Sequence, residues 1–194
     1  MLRIITAAFS VLLLAACVPV ARESSLPAAQ RVIITNAPRE HAAPGLPEAL
    51  GSELMQLEGC CDFELHRSQA VRLHERHRDM YSHRGVISSA ALARTLGAGW
   101  AVLMSSLDYE RTVTEAGKLL YIDVSTAIRA QIIDSEGNSY DRFDSRTLHA
   151  SRVQSADDPL VEEQAEPLLA ELTSMLAGEL APQIGTRLQE LTRP

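Results

Sequence analysis

Residues 100–134 read WAVLMSSLDYERTVTEAGKLLYIDVSTAIRAQIID, and this stretch decides the fold. In its second half Leu120, Ile122, Val124, Thr126, Ile128, Ala130 and Ile132 recur at every other position, with Asp123, Ser125, Arg129 and Gln131 between them. A period of two belongs to a β-strand with one face in a core and the other wet or lightly covered. Residues 100–114 have the same strand-forming character. Glu115, Ala116, Gly117 and Lys118 between the two runs have the length and composition of a hairpin loop. Two long antiparallel strands, 100–114 and 119–134, are expected.

Downstream, residues 134–138 read as a turn and 139 to about 152 as a third strand. Asp158 is placed to cap a final helix, with Pro159 at its first position and Glu162 and Glu163 favouring the positive end of its dipole. Val161, Ala165, Leu168, Leu172, Leu176, Leu180, Ile184, Leu188 and Leu191 form its apolar stripe, which Pro167 and Pro182 should kink or divide. Upstream, residues 31–36 are a β-branched run fit for a strand. Residues 46–57 carry Leu50, Leu54 and Leu57 at helical spacing, closed by Gly59. Phe63 and Leu65 alternate with polar neighbours over 62–67, and Ser68 can cap a helix to about Tyr81. Gly85 breaks the next turn. Ser88 or Ser89 is then expected to cap a shorter helix with Ala91, Leu92 and Leu96 that stops at Gly97 and Gly99. The order strand, helix, strand, two helices, three antiparallel strands, helix predicts an α/β two-layer sandwich. Its mixed sheet has a long antiparallel hairpin and is packed by helices.

The N-terminus reads differently. Arg3 precedes an apolar run over 4–14 that is too short to span a bilayer, and Leu14, Ala15, Ala16 and Cys17 follow. A basic start, a short apolar stretch and small residues at its end describe a secretory signal over 1–16. The LAAC sequence resembles the lipobox of bacterial lipoproteins. That resemblance implies cleavage before Cys17, acylation of its thiol and of the new amine, and a membrane anchor. Val18 is not the Asp that resembles an inner-membrane retention signal, so the expected location is the outer membrane, periplasmic face. Residues 18–30, VPVARESSLPAAQ, have no apolar period and read, with Cys17, as a flexible tether. One domain is expected over 31–194.

The chain has 194 residues, a net charge of -7 and 4% aromatics. An acidic surface with few rings argues against nucleic acid, which requires basic grooves and stacking platforms.

Arg67, Leu73, Gly85, Ala93, the Leu96-Gly97-Ala98 turn into strand 100–107, and the Ile132-Ile133-Asp134 to Gly137 turn are similar to the curli-secretion lipoprotein family. Its relatives include the penicillin-binding-protein activator lipoproteins and the N-terminal domain of the TolB translocation protein. The resemblance covers about 31–191 and implies the fold more strongly than a function. The curli-secretion pore inserts extra hairpins, each strand crossing the bilayer with about 9 to 11 alternating residues. No such insertion is visible here. The polar side of the one long hairpin, assigned Asp108, Glu110, Arg111, Asp123 and Arg129, cannot face lipid cheaply. The resemblance therefore implies the activator type, a tethered module that binds an envelope protein or the peptidoglycan machinery. The alternative is an oligomeric structural or secretion-associated subunit, a homo-oligomer of the same domain.

No G-x-S-x-G elbow, phosphate-cradling Gly loop or H-E-x-x-H helix occurs, so neither an enzyme nor a cofactor is expected. His66, His74, His77 and His83 lie among Arg67, Arg72, Arg76, Arg78 and Arg84. His74 and His77 have a chelating spacing, but the arginines raise the cost of adding a cation, and no metal site is expected. Arg72, Arg76 and Arg78 are instead a candidate basic surface for an anionic partner. The adjacent Cys60 and Cys61 allow a strained vicinal disulfide or two thiols, and lack the C-x-x-C spacing of redox catalysts.

Overall fold

The computed structural model describes residues 27–37, 45–56, 64–65, 85–155 and 161–193. The element order is β1 (Arg31–Asn36), α1 (Leu46–Gln56), β2 (Glu64–Leu65), α2 (Gly85–Leu96), β3 (Trp100–Ala116), β4 (Leu119–Asp134), β5 (Ser139–Asp144), β6 (Leu148–Ser155) and α3 (Val161–Thr192). They form the expected α/β fold with a six-stranded mixed sheet ordered β2-β1-β3-β4-β5, in which β6 also pairs with β4. β1 runs parallel to β2 and β3, and every later pairing is antiparallel.

The period of two in β4 works as read. Ile122, Val124, Thr126, Ile128, Ala130 and Ile132 are buried, and α1 and α3 cover their face. Leu46, Leu50 and Leu54 of α1 meet Leu176, Leu180, Ile184 and Leu188 of α3 over Val32, Val102, Met104 and Ile128. The other face is covered at its base by α2. Leu92 and Ala93 pack on Ile33 and Ala101, while Ala90 packs on Leu103 and Ile133.

α2 begins at Gly85, so Ser88 and Ser89 lie inside it and do not cap it. Their hydroxyls find other partners: Ser88 Oγ donates back to the Gly85 carbonyl at 3.1 Å, and Ser89 Oγ lies 2.7 Å from Thr35 Oγ1 in the buried interface with β1. The helix ends at Gly97 with Ala98 N donating to Ala93 O and Gly97 N to Arg94 O, the paired bonds of a Schellman motif.

Two expectations are corrected at the hairpin and its neighbour. The loop has only two residues, Gly117 and Lys118, because β3 runs on to Ala116. Gly117 has φ +67° and, among the described residues, no non-glycine has positive φ, the pattern of a type II′ turn with Gly first. The single third strand is two, β5 and β6. Both continue along the outer edge of β4, β5 beside residues 129–133 and β6 beside 119–126. Three residues, Ser145, Arg146 and Thr147, oppose two of β4 at the junction. Ser145 closes the gap there, its N–H donating to Ile128 O and its Oγ accepting from Ile128 N–H, both at 2.9 Å.

α3 is one helix of 32 residues that contains Pro167 and Pro182, so the prolines do not divide it. Both rings lie on the exposed side, while Ala165, Leu168, Leu172, Leu176, Leu180, Ile184 and Leu188 are buried along the other. Packing of that stripe holds the helix together across the lost N–H donors. The last residues of the stretch read as a tether, Ala28–Gln30, form a 3₁₀ turn docked at the start of β3. Gly99 N donates to Ala28 O at 2.7 Å and Trp100 Nε1 to Ala29 O at 2.8 Å.

Candidate functional site

The longest exposed stretch among the described residues is the β3 side of the distal hairpin with its turn, whose β4 side is buried at Ile122 and Val124. Residues 107–119 are exposed without interruption. A β-bulge between Ser106 and Asp108 sets the geometry of this ribbon. Before the bulge, Val102 and Met104 share the α1/α3 face. After it, Tyr109, Arg111, Val113 and Glu115 stand opposite Thr126, Val124, Ile122 and Leu120 on that face, and Asp108, Glu110, Thr112, Thr114 and Ala116 turn to the other. One inserted residue has reversed the alternation of β3. Thr126 Oγ1 and Ser106 Oγ both donate to the Asp108 carbonyl, at 3.1 and 3.2 Å, and pin the bulge.

The charged residues assigned to one side are therefore separated. Asp108, Glu110, Asp123 and Arg129 share the face away from α3, whereas Arg111 stands on the α3 face. Its neighbour in sequence, Glu110, takes the opposite side by the period of two. The described side chains in the N-terminal half of α3 pack there on β4 and β6: Ala165, Leu168 and Leu172 meet Ile122, Val124, Leu148 and Ala150. Tyr109 and Val113 on β3 remain 49% and 41% exposed. On the far face Leu119, Tyr121 and Val153 form an exposed apolar group, with Tyr121 directly opposite Val153. Sequence reasoning missed these residues as surface. The signal was there in the charges Glu110, Arg111 and Glu115 interleaved with them, which no two-sided core would accept.

Ion pairs elsewhere lie both within and between structural elements. Asp144 accepts from Arg129 Nε and Arg142 Nη2, both at 2.7 Å, and these guanidiniums hold its carboxyl well below the usual carboxylate range. Arg187 of α3 reaches Asp141 of β5 at 2.5 Å and Glu190 at 2.7 Å, and Arg146 reaches Glu179 at 2.9 Å. These clamps fix the C-terminal half of α3 to the sheet. At the basal turn, slight burial raises the Asp134 carboxyl. The Asn138 side chain and the N–H groups of Asn138, Glu136 and Gly137 outweigh this and lower it below the ordinary value. Trp100 stacks edge-on against Tyr140 at 5.0 Å beside that turn.

Cys17, the arginines Arg72, Arg76 and Arg78, the histidines His66, His74, His77 and His83, and Cys60 and Cys61 all lie outside the described residues. Among the described residues no three His, Cys, Asp or Glu side chains converge as metal ligands, and no helix is long and apolar enough to cross a membrane.

No family model and no curated protein matches the chain. It is similar in fold to solved bacterial lipoproteins. A minor lipoprotein from Acinetobacter baumannii is 16% identical, over 85% of this chain and 94% of that one, with a TM-score of 0.34. A lipoprotein from Neisseria meningitidis is 13% identical, over 78% and 98%, with a TM-score of 0.37. PelC from Paraburkholderia phytofirmans, solved as a dodecamer, is 10% identical, over 82% and 92%, with a TM-score of 0.37. Likeness at this level extends to no activity, partner or assembly, and it does not place the chain in the curli-secretion family.

Proposed function

We propose that the chain is a lipoprotein anchored through Cys17 on the periplasmic face of the outer membrane. Its domain acts without catalysis, binding or regulating another envelope protein or the peptidoglycan machinery. The observation that carries this reading is the LAAC sequence ending at Cys17, after one basic residue and a short apolar run. Three acyl chains, at about 0.8 kcal/mol per buried methylene, hold far more firmly than one. A binding role is supported by a domain in which Arg129–Asp144 joins β4 to β5 and Arg187–Asp141 joins α3 to β5, so that its surface is held in one arrangement.

Arg72, Arg76 and Arg78 run against the overall charge of -7 and are the proposed contact for an anionic partner. Two experiments test the proposal. Cys17→Ser should abolish incorporation of labelled palmitate and release the protein from membranes; undiminished labelling would end the anchor. Arg72→Glu with Arg76→Glu should weaken capture by purified peptidoglycan sacculi or by envelope proteins, and make it less sensitive to salt, at nearly unchanged stability. The control, Glu162→Arg with Glu163→Arg, should lose a little stability through the helix dipole and keep its partner. Loss of the partner in the control alone would move the site to α3.

A further inference from the structure

We propose that the open edge of β3 is a homodimer surface. Two copies of this chain join their β3 strands antiparallel about a twofold axis at Val113, in the register that sets Arg111 of each copy opposite Glu115 of the other. The inference is independent of the lipid anchor and of the arginine segment.

β1 pairs with β3 only as far as Met104, opposite Asn36. Beyond it no described strand lies on that side of β3, and the whole run 107–119 is exposed. A long strand edge with free N–H and C=O groups is a template for another strand.

The ladder shows which groups face outward. Ile128 gives its N–H and its C=O to Ser145, on the β5/β6 side, so the even-numbered residues of β4 turn away from β3 and the odd-numbered ones toward it. The partners of those odd residues are Asp108, Glu110, Thr112, Thr114 and Ala116, which therefore bond inward. The backbone groups of Tyr109, Arg111, Val113 and Glu115 are left at the edge.

A second β3 could pair with that edge in several registers, and the side chains choose among them. Centred on Arg111, two guanidiniums collide; centred on Glu110, two carboxylates do. Centred on Thr112, Arg111 meets Val113 and Tyr109 meets Glu115, with no charge compensated. Centred on Val113, Arg111 faces Glu115 twice, Thr112 faces Thr114 twice, and at each end Asp108 faces Lys118. Opposite charges directly across strands stabilise and like charges destabilise, so the pattern is complementary to itself in this register. Val113, which α3 leaves 41% exposed, meets its own copy at the axis. Paired residues share a face, so both α3 helices lie on the same side of one continuous sheet.

The test uses the full mature chain in detergent, followed by sedimentation over a range of concentrations. A dimer is expected. Arg111→Glu and Glu115→Arg should each weaken it about tenfold or more, and the two together should restore it, because each swapped side chain again meets its opposite. In a chain with Cys60→Ser and Cys61→Ser, Val113→Cys should form an intermolecular disulfide on mild oxidation. A hydrogen-bonded antiparallel pair holds its Cα atoms about 5.5 Å apart, inside the range a disulfide spans. Thr112→Cys, whose partner is Thr114 and not itself, should not cross-link. The proposal is overturned by a monomer at every concentration, by an assembly larger than a dimer, by failure of the double charge swap to restore association, or by Thr112→Cys cross-linking in preference to Val113→Cys.

Discussion

Replacing Pro182 by Ala should stabilise the domain. Pro182 lies within α3 on its exposed side, so its ring fills no core space, and it leaves the Gly178 carbonyl without the N–H of position 182. In a helix interior Pro is about 3 kcal/mol less favourable than Ala. Against this, Pro restricts the unfolded chain, and its removal returns about 0.4–1 kcal/mol of entropy to the unfolded state. The net gain is about 2 kcal/mol. At about 2–4 °C per kcal/mol for a domain of this size, Tm should rise by about 4–8 °C in a thermal melt followed by circular dichroism. Pro167→Ala, also exposed within the same helix, should shift Tm in the same direction. A fall in Tm for Pro182→Ala would refute the reasoning, because it would mean that the prolines shape the helix to the sheet and the stripe does not simply override them.

Gly99→Ala would set a Cβ 2.7 Å from the Ala28 carbonyl oxygen and 3.0 Å from Ala29 Cα, so the Ala28–Gln30 turn must lift. A loss of about 1–3 kcal/mol is expected, with a red shift in fluorescence of Trp100, the single tryptophan, as its indole N–H loses Ala29 O; an unchanged spectrum would show that the turn had stayed. Asp144, held below its ordinary value by Arg129 and Arg142, contributes stability that is present above about pH 4, where the unfolded carboxyl is ionised, and is lost as pH falls toward its folded value. Asp144→Asn should therefore be less stable than the parent near neutral pH and equal to it in acid, with the gap narrowed by salt, in urea titrations across pH. Leu172→Ala should cost about 2–5 kcal/mol and speed hydrogen exchange at Ile122 and Val124 more than at Ile132 and Ile133, because Leu172 packs on the distal ribbon and not on the base.

The candidate site was legible only in part. Exposed Tyr109 and Val113 look in the sequence like any strand-forming residues. Their surface position follows from the bulge at Ser106/Asp108, which turns them onto the α3 face beside β4, and from α3, which covers β4 and β6 but leaves them open. Arg111 and Glu115 are four apart in one strand and acquire meaning as a pair only once no described strand is found on the edge beside them.

By itself the sequence determined the elements that depend on near neighbours. The period of two in 119–134 fixed β4 and its buried face, the leucine stripe fixed α3, and residues 115–118 marked where the hairpin turns though not how short its loop is, since periodicity and turn chemistry act within a few residues. Tertiary structure decided what depends on distant partners. Thr35 engages the hydroxyl of Ser89 inside α2, Ile128 draws Ser145 into the break between β5 and β6, and the core under α3 carries one helix through two prolines. In each case a local preference of about 1–3 kcal/mol was outweighed by buried area or a hydrogen bond supplied from elsewhere in the chain, and such partners are not written into the residues beside it.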